Sequence, residues 1–160
     1  MIAFATGLLE HSLKRLGYDA ADLQSLRDEG YLLWHGKNGH TSLLVPAAGG
    51  DALFVISTLS YIDPEQDGRL LALALHLNLS PAHTLGASIA LDIEQNTLCL
   101  RYTHDLTGHG TDSLSRALES TQALAEQIKQ VIETFRSEFG RPPKPAPTAR
   151  PPEAGARLAG

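Results

Sequence analysis

"LLALALHLNLS", residues 70–80, is the stretch on which the fold turns. Leucine stands at every second position from Leu71 to Leu79, and strict alternation marks a half-buried β-strand. The residues between argue otherwise. Ala72, Ala74, His76 and Asn78 include nothing β-branched, and Leu and Ala are strong helix formers while Ala is poor in strands. Upstream, "IDPEQDGR" offers Asp63 as N-cap, Pro64 at the first helical position and Glu65 in the first turn, which are helix start signals. The stretch therefore predicts a helix over residues 64–79, ended by Ser80–Pro81. At about 100° per residue, Leu70, Leu73 and Leu77 fall on one side of a broad arc, and Leu71, Leu75 and Leu79 on the other. Only Glu65, Arg69, Ala72, His76 and Ser80 form a polar or small strip. An apolar arc of roughly 240° is more than twice that of a surface helix. One sheet cannot cover it, and in a small chain the expected second surface is another copy of the same helix.

Outward from this helix the texture changes. "YLLWHG", "TSLLVPA" and "DALFVISTLSYI" precede it as short apolar runs separated by "KNGH" and "AGGD"; they predict an antiparallel meander of three strands. Leu32–Leu33–Trp34, Leu43–Leu44–Val45 and Leu53–Phe54–Val55–Ile56 are apolar at consecutive positions. Antiparallel sheets usually leave one face wet, so both faces of this one call for cover. After the helix, "GASIALDI" and "TLCLRYTHDL" alternate and are joined by "EQN", a hairpin with a wet face.

Residues 2–16 read as an amphipathic helix, with Ile2, Leu9, Leu13 and Leu16 at helical spacing and Gly17 as its stop. "YDAADLQSLRDEG" fits either a short helix or an irregular link ending at Gly30. Residues 112–138 read as a long helix whose stripe Leu114, Leu118, Leu124, Ile128, Val131 and Phe135 faces inward, with Glu126, Lys129 and Glu133 outward. The order is α-βββ-α-ββ-α, an α+β domain with a twisted antiparallel sheet packed by helices, spanning residues 1–139. Residues 140–160 hold six of the nine prolines and are expected to form a disordered, partly polyproline-II tail.

The formal charge is −5, and it is unevenly spread. Arg141, Lys144, Arg150 and Arg157 against Glu153 give the tail +3, leaving −8 on residues 1–139. An acidic body repels phosphates and argues against nucleic acid. Cys99 is alone, so no disulfide framework exists and a buried structural thiol in a reducing cytoplasm is expected. No basic-then-apolar leader opens the sequence, and no apolar run approaches the roughly 18–20 residues of a membrane span. "HDLTGHG" brings His104, Asp105 and His109 close in sequence, but their spacing matches no metal-site pattern. Solvated loop histidines, His83 included, are the simpler reading, and His76 belongs to the polar strip. No GxSxG, GxGxxG or Walker sequence occurs, and neither a cofactor nor a metal is implied.

The order of elements and several landmarks resemble the class I, effector-type chaperones of type III secretion, the Tir chaperone or CesT-like family. The resemblance covers residues 4–138. It rests on "RDEG" (27–30) before the first strand, "LLALALHLNL" (70–79), "GASIALDIEQNTLCLRY" (86–102) and the long final helix. The long basic tail and "DAADLQSL" depart from the family pattern. The resemblance implies a cytoplasmic homodimer without catalysis or cofactor. It would bind the N-terminal segment of a secreted effector in extended form, with the secretion apparatus as a further partner. It places the dimer seam at Leu71, Leu75 and Leu79, and partner contacts at Leu9, Leu13, Leu33, Trp34, Leu44 and Phe54. Over-apolar strands invite an added partner segment on physical grounds as well. Two rivals stand beside this reading: a chaperone-like binding domain unrelated to secretion, and a small metal-dependent enzyme built on His104, Asp105 and His109.

Overall fold

A computed structural model describes residues 6–37, 39–107 and 112–139. The expectations for residues 2–5, His109 and the tail 140–160 lie outside them. The chain runs α1 (Thr6–Arg15), α2 (Ala20–Glu29), β1 (Leu32–His35), β2 (Thr41–Pro46), β3 (Ala52–Tyr61), α3 (Gly68–Leu79), α4 (Pro81–Thr84), β4 (Ser88–Asp92), β5 (Thr97–Asp105) and α5 (Ser113–Phe139). The antiparallel sheet has the order β1-β2-β3-β5-β4. The crossover through α3 and α4 carries the chain from the sheet centre to its edge, and β5 returns between β3 and β4.

The ambiguous segment after Tyr18 is helical, and its caps explain why. Asp19 accepts hydrogen bonds from the Ala21 and Asp22 amides at 2.8 and 3.0 Å, while the Asp22 carboxylate accepts from the Asp19 amide at 2.8 Å. This capping box satisfies donors that a helix start otherwise leaves open. Gly30, at φ +83°, closes the other end by donating to the Leu26 carbonyl, a left-handed turn that glycine adopts without penalty.

α3 begins at Gly68, four residues later than the sequence suggests. Asp63 and Pro64 open a tight turn instead, in which the Asp63 carbonyl accepts from the Gln66 and Asp67 amides. Asp at the first and Pro at the second position also suit a type I turn, and the turn prevails because Asp67 is anchored elsewhere. The Asp67 carboxylate accepts from the Asp63 amide at 2.8 Å and from the Arg136 guanidinium at 3.3 Å. Past Ser80 the chain makes one further turn, α4, which the sequence reading lacks.

The core divides in two along the sheet. One cluster gathers Leu70 and Ala74 of α3, Ile89, Leu98 and Leu100 of the hairpin, and Leu124, Ile128 and Ile132 of α5. The other gathers Leu9 and Leu13 of α1, Leu23 and Leu26 of α2, Leu32, Leu44, Leu53 and Val55 of the sheet, and Leu114 and Leu118 of α5. A polar seam lies between them. There Ser42 and Ser57 share a hydrogen bond of 2.7 Å, and Gln122 donates to the His40 carbonyl at 3.0 Å. The stripe of α5 therefore runs Leu114, Leu118, Thr121, Ala125, Ile128, Ile132. Val131 is exposed, Ile132 taking the inward place expected of it. Glu126 and Lys129 are half-buried rather than outward, joined at 3.0 Å, with His40 3.1 Å from the same carboxylate oxygen.

Candidate functional site

Side chains alternate across a strand, so the registers assign every sheet residue to a face. Leu32, Leu44, Val55, Leu98 and Leu100 point toward the helices and fill the two clusters. The opposite face carries Leu33, Leu43, Val45, Phe54, Ile56, Cys99 and Arg101 by the same registers. Its five large apolar residues belong to neither cluster. Leu33, Leu43, Ile56 and Arg101 pair in succession, forming one row across four strands, with Val45 and Phe54 in the row beside it. The doubly apolar strands are thus covered by helices on one face, while this face keeps Leu33 47 % exposed and the others half-buried. The Arg101 guanidinium lies 4.2 Å from the centre of the Phe54 ring. Cys99 is buried on this face, and burial raises the pKa of its thiol.

At each edge of the sheet a side chain holds part of the outward backbone. At the β1 edge the Tyr18 hydroxyl donates to the Leu33 carbonyl at 2.9 Å. Half-burial, and after it the nearby Asp22 carboxylate, push the Tyr18 pKa up to about 12. At the β4 edge Asn78 of α3 clamps Ile89, accepting from its amide at 2.8 Å and donating to its carbonyl at 2.9 Å. Unpaired edge groups are where a further strand would add; here side chains hold the Leu33 carbonyl and both groups of Ile89.

The second uncovered surface is on α3. Leu70 and Ala74 are its buried line, Leu71, Leu73 and Leu77 are half-buried around it, and Ala72, Leu75, His76 and Leu79 face outward. Leu75 and Leu79 are 73 % and 81 % exposed. Leu85, held in the left-handed region at φ +49°, and Leu91 of β4 are further exposed apolar side chains near this end of the sheet. The described residues cover only about half of the leucine arc.

The residues expected to meet a partner separate into three places. Leu9, Leu13 and Leu44 are in the interior, so they support a surface from below and do not line one. Trp34 points to the helix side, where it lines a cleft of about 540 Å³ with Tyr18, Asp22 and Tyr31. Leu33 and Phe54 share the open sheet face with Leu43, Val45, Ile56 and Arg101, none of which the sequence reading named as a partner contact. The expected seam also divides, Leu71 partly covered by its own chain and Leu75 and Leu79 open.

His104 and Asp105 are neighbours on β5 and so point to opposite faces. His104 is buried among the helices with its Nε2 3.2 Å from the Ser113 hydroxyl, not solvated in a loop. Among the described residues no group of three or more His, Cys, Asp or Glu is placed to hold a metal ion, and no helix is long and apolar enough to cross a membrane.

A five-stranded antiparallel sheet with its helices on one face and leucine-rich α3 beside the edge matches a known architecture. Residues 7–129 match the Tir chaperone protein (CesT) family. The chain belongs to that family. No curated protein sequence matches it significantly. Among solved structures it is similar to a chain of the HopA1–SchA chaperone–effector complex, at 18 % identity and TM-score 0.53 over 77 % of this chain and 91 % of that one. A chain of the ExsC–ExsE complex gives 15 % and 0.59 over 78 % and 90 %. A chain of the heterodimeric ExoU–SpcU complex from the type III secretion system of Pseudomonas aeruginosa gives 15 % and 0.54 over 76 % and 93 %. At these identities the likeness is one of fold, and it extends over nearly the whole of each relative.

Proposed function

We propose that this CesT-family protein is a cytoplasmic type III secretion chaperone. In this reading it acts as a homodimer, binds the N-terminal segment of a cognate effector, and keeps it soluble and competent for export. It performs no catalysis. The observation that carries the reading is the apolar sheet face left open on a domain of a chaperone family. Monomeric soluble proteins rarely leave contiguous apolar patches of this kind without a partner. A client that stays unfolded loses ordering entropy on binding, so it needs a large surface to wrap; the open sheet face and the cleft at Trp34 offer one. The similar complexes support a client of this class, one being a chaperone–effector complex and another coming from a type III secretion system. The exposed Leu75 and Leu79 support a seam between two copies.

The test is to tag the protein in its native host and identify what co-purifies, with native mass spectrometry for stoichiometry. Two copies holding one larger protein, lost when that protein's N-terminal segment is deleted, is the expected result. A bound segment that is not an export region would leave a chaperone-like domain with another cellular duty. No bound protein at all would sink the client-binding reading.

A further inference from the structure

Three cations are half-buried among the described residues: Lys129, Arg136 and Arg101. Lys129 has Glu126 and Arg136 has Asp67. Arg101 forms no ion pair with any described residue, and its Nε is buried without a hydrogen-bond partner, the only such side-chain atom among them. A guanidinium stays charged under all ordinary conditions, and a buried donor left unmet is costly and calls for an explanation. The Phe54 ring, 4.2 Å away, gives its charge a partial partner, but no carboxylate among the described residues neutralises the guanidinium. Asp105 lies on the same face of β5, yet four residues along, about 13 Å at strand spacing, and its Oδ1 is taken by Thr107.

We propose that Arg101 is a specificity residue of the open sheet face, selecting client segments that place one acidic side chain among apolar ones. This rests on the reading that the face holds a client. The row Leu33–Leu43–Ile56–Arg101 sets the pattern. Three strand spacings separate its ends, about 14 Å, so the carboxylate sits at one end and an apolar anchor at the other. An extended segment spans that distance in about four residues. The recognised element is a single acid and not an acidic tract, because residues 1–139 carry −8 and repel accumulated negative charge. The chain's own segment 140–160, with four cations against Glu153, has the wrong sign for Arg101.

The experiment selects a phage-displayed library of random linear peptides on the immobilised full-length protein, then on its Arg101→Met and Arg101→Glu variants. Methionine keeps the packing over Phe54 and removes the charge, and circular dichroism verifies that each variant is folded. Wild type is expected to enrich peptides with one Asp or Glu flanked by apolar residues. A synthetic copy of such a peptide should bind roughly tenfold or more tightly than its Gln counterpart, the range of a charge-assisted hydrogen bond. R101M should abolish that ratio and retain apolar binding, and R101E should shift the enrichment toward Lys and Arg. Apolar binders without acid preference would overturn the role of Arg101 and leave the face standing as a site. No binders, or binders indifferent to Phe54→Asp, would overturn the face and the proposal together. A dimer converted to monomer by R101E or F54D would assign the face to a second copy and overturn the proposal as well.

Discussion

Gly36 sits where no other residue fits as the chain stands. A Cβ there would come within 1.9 Å of the Gln122 side-chain oxygen. Gln122 is fixed because its amide donates to the His40 carbonyl at 3.0 Å, the same oxygen that accepts from the Gly36 amide at 2.9 Å. Gly36→Ala must displace Gln122 from this polar seam. The expected cost is about 1–3 kcal/mol, from overpacking and a lost hydrogen bond. Adding Gln122→Ala to it should cost less than the two single changes together, because the clash is gone; additive losses in denaturant unfolding would show that the pair is not coupled. Tyr18 gives a prediction with a pH signature. Its folded pKa of about 12 exceeds the ordinary 10, so the folded state holds that proton more tightly than the unfolded chain. Its contribution is complete below pH 10 and is lost as pH rises from 10 toward 12. Tyr18→Phe should therefore be less stable than wild type at pH 9 by about 1 kcal/mol, and the gap should narrow at pH 11. A gap that stays constant in denaturant midpoints would contradict the assignment.

Among the elements, α3 shows what a sequence reveals and where it stops. Helical periodicity and composition were enough to reject a strand and to recognise an arc too wide for one neighbour. Phase was not. Ala74, rather than Leu73 or Leu77, shares the buried line with Leu70, and the start signal at Asp63–Pro64 went to a turn with equal claim on those residues. The strands behave likewise. Consecutive apolar residues in β1–β3 announced two faces wanting cover, but Leu44 and Leu43 are indistinguishable until register assigns one to the core and one to the open face. Arg101 was hidden for the same reason, since its orphaned Nε is a fact of packing. Asn78 was passed over as an ordinary polar residue between leucines, yet it satisfies both outward groups of Ile89 on the edge strand. Asn78→Ala should cost about 1–2 kcal/mol and leave an open edge for intermolecular pairing. Thermal unfolding and concentration-dependent light scattering measure the two effects. A destabilised variant that scatters no more than wild type would mean the clamp serves stability alone.

At the scale of the whole molecule, Tyr18 and Asn78 hold part of each sheet edge, and the exposed stripe of α3 offers lateral packing as a route by which two copies can join. A two-fold contact presents each residue twice, so Leu75 and Leu79 would contribute four leucines to one seam. Burying each is worth about 1.5–3 kcal/mol, which is enough to set a dimerisation constant. Charge works against it. Each body carries −8, so association is opposed by repulsion that salt screens over about 8 Å at physiological ionic strength. Wild type should thus have twice the 17.2 kDa of the chain in light scattering, and should dissociate more readily at low salt than at high. Leu75→Glu with Leu79→Glu should leave the fold intact, because both side chains are solvent-exposed within their own chain. In the seam the same changes bury four like charges, which nothing there can compensate. The double variant is expected to be monomeric with an unchanged circular dichroism spectrum. If it stayed dimeric, the seam would have to lie elsewhere, and the open sheet face would be the next surface to mutate. If wild type were monomeric, the leucines of residues 70–79 would need another partner, and the client would be the first to test.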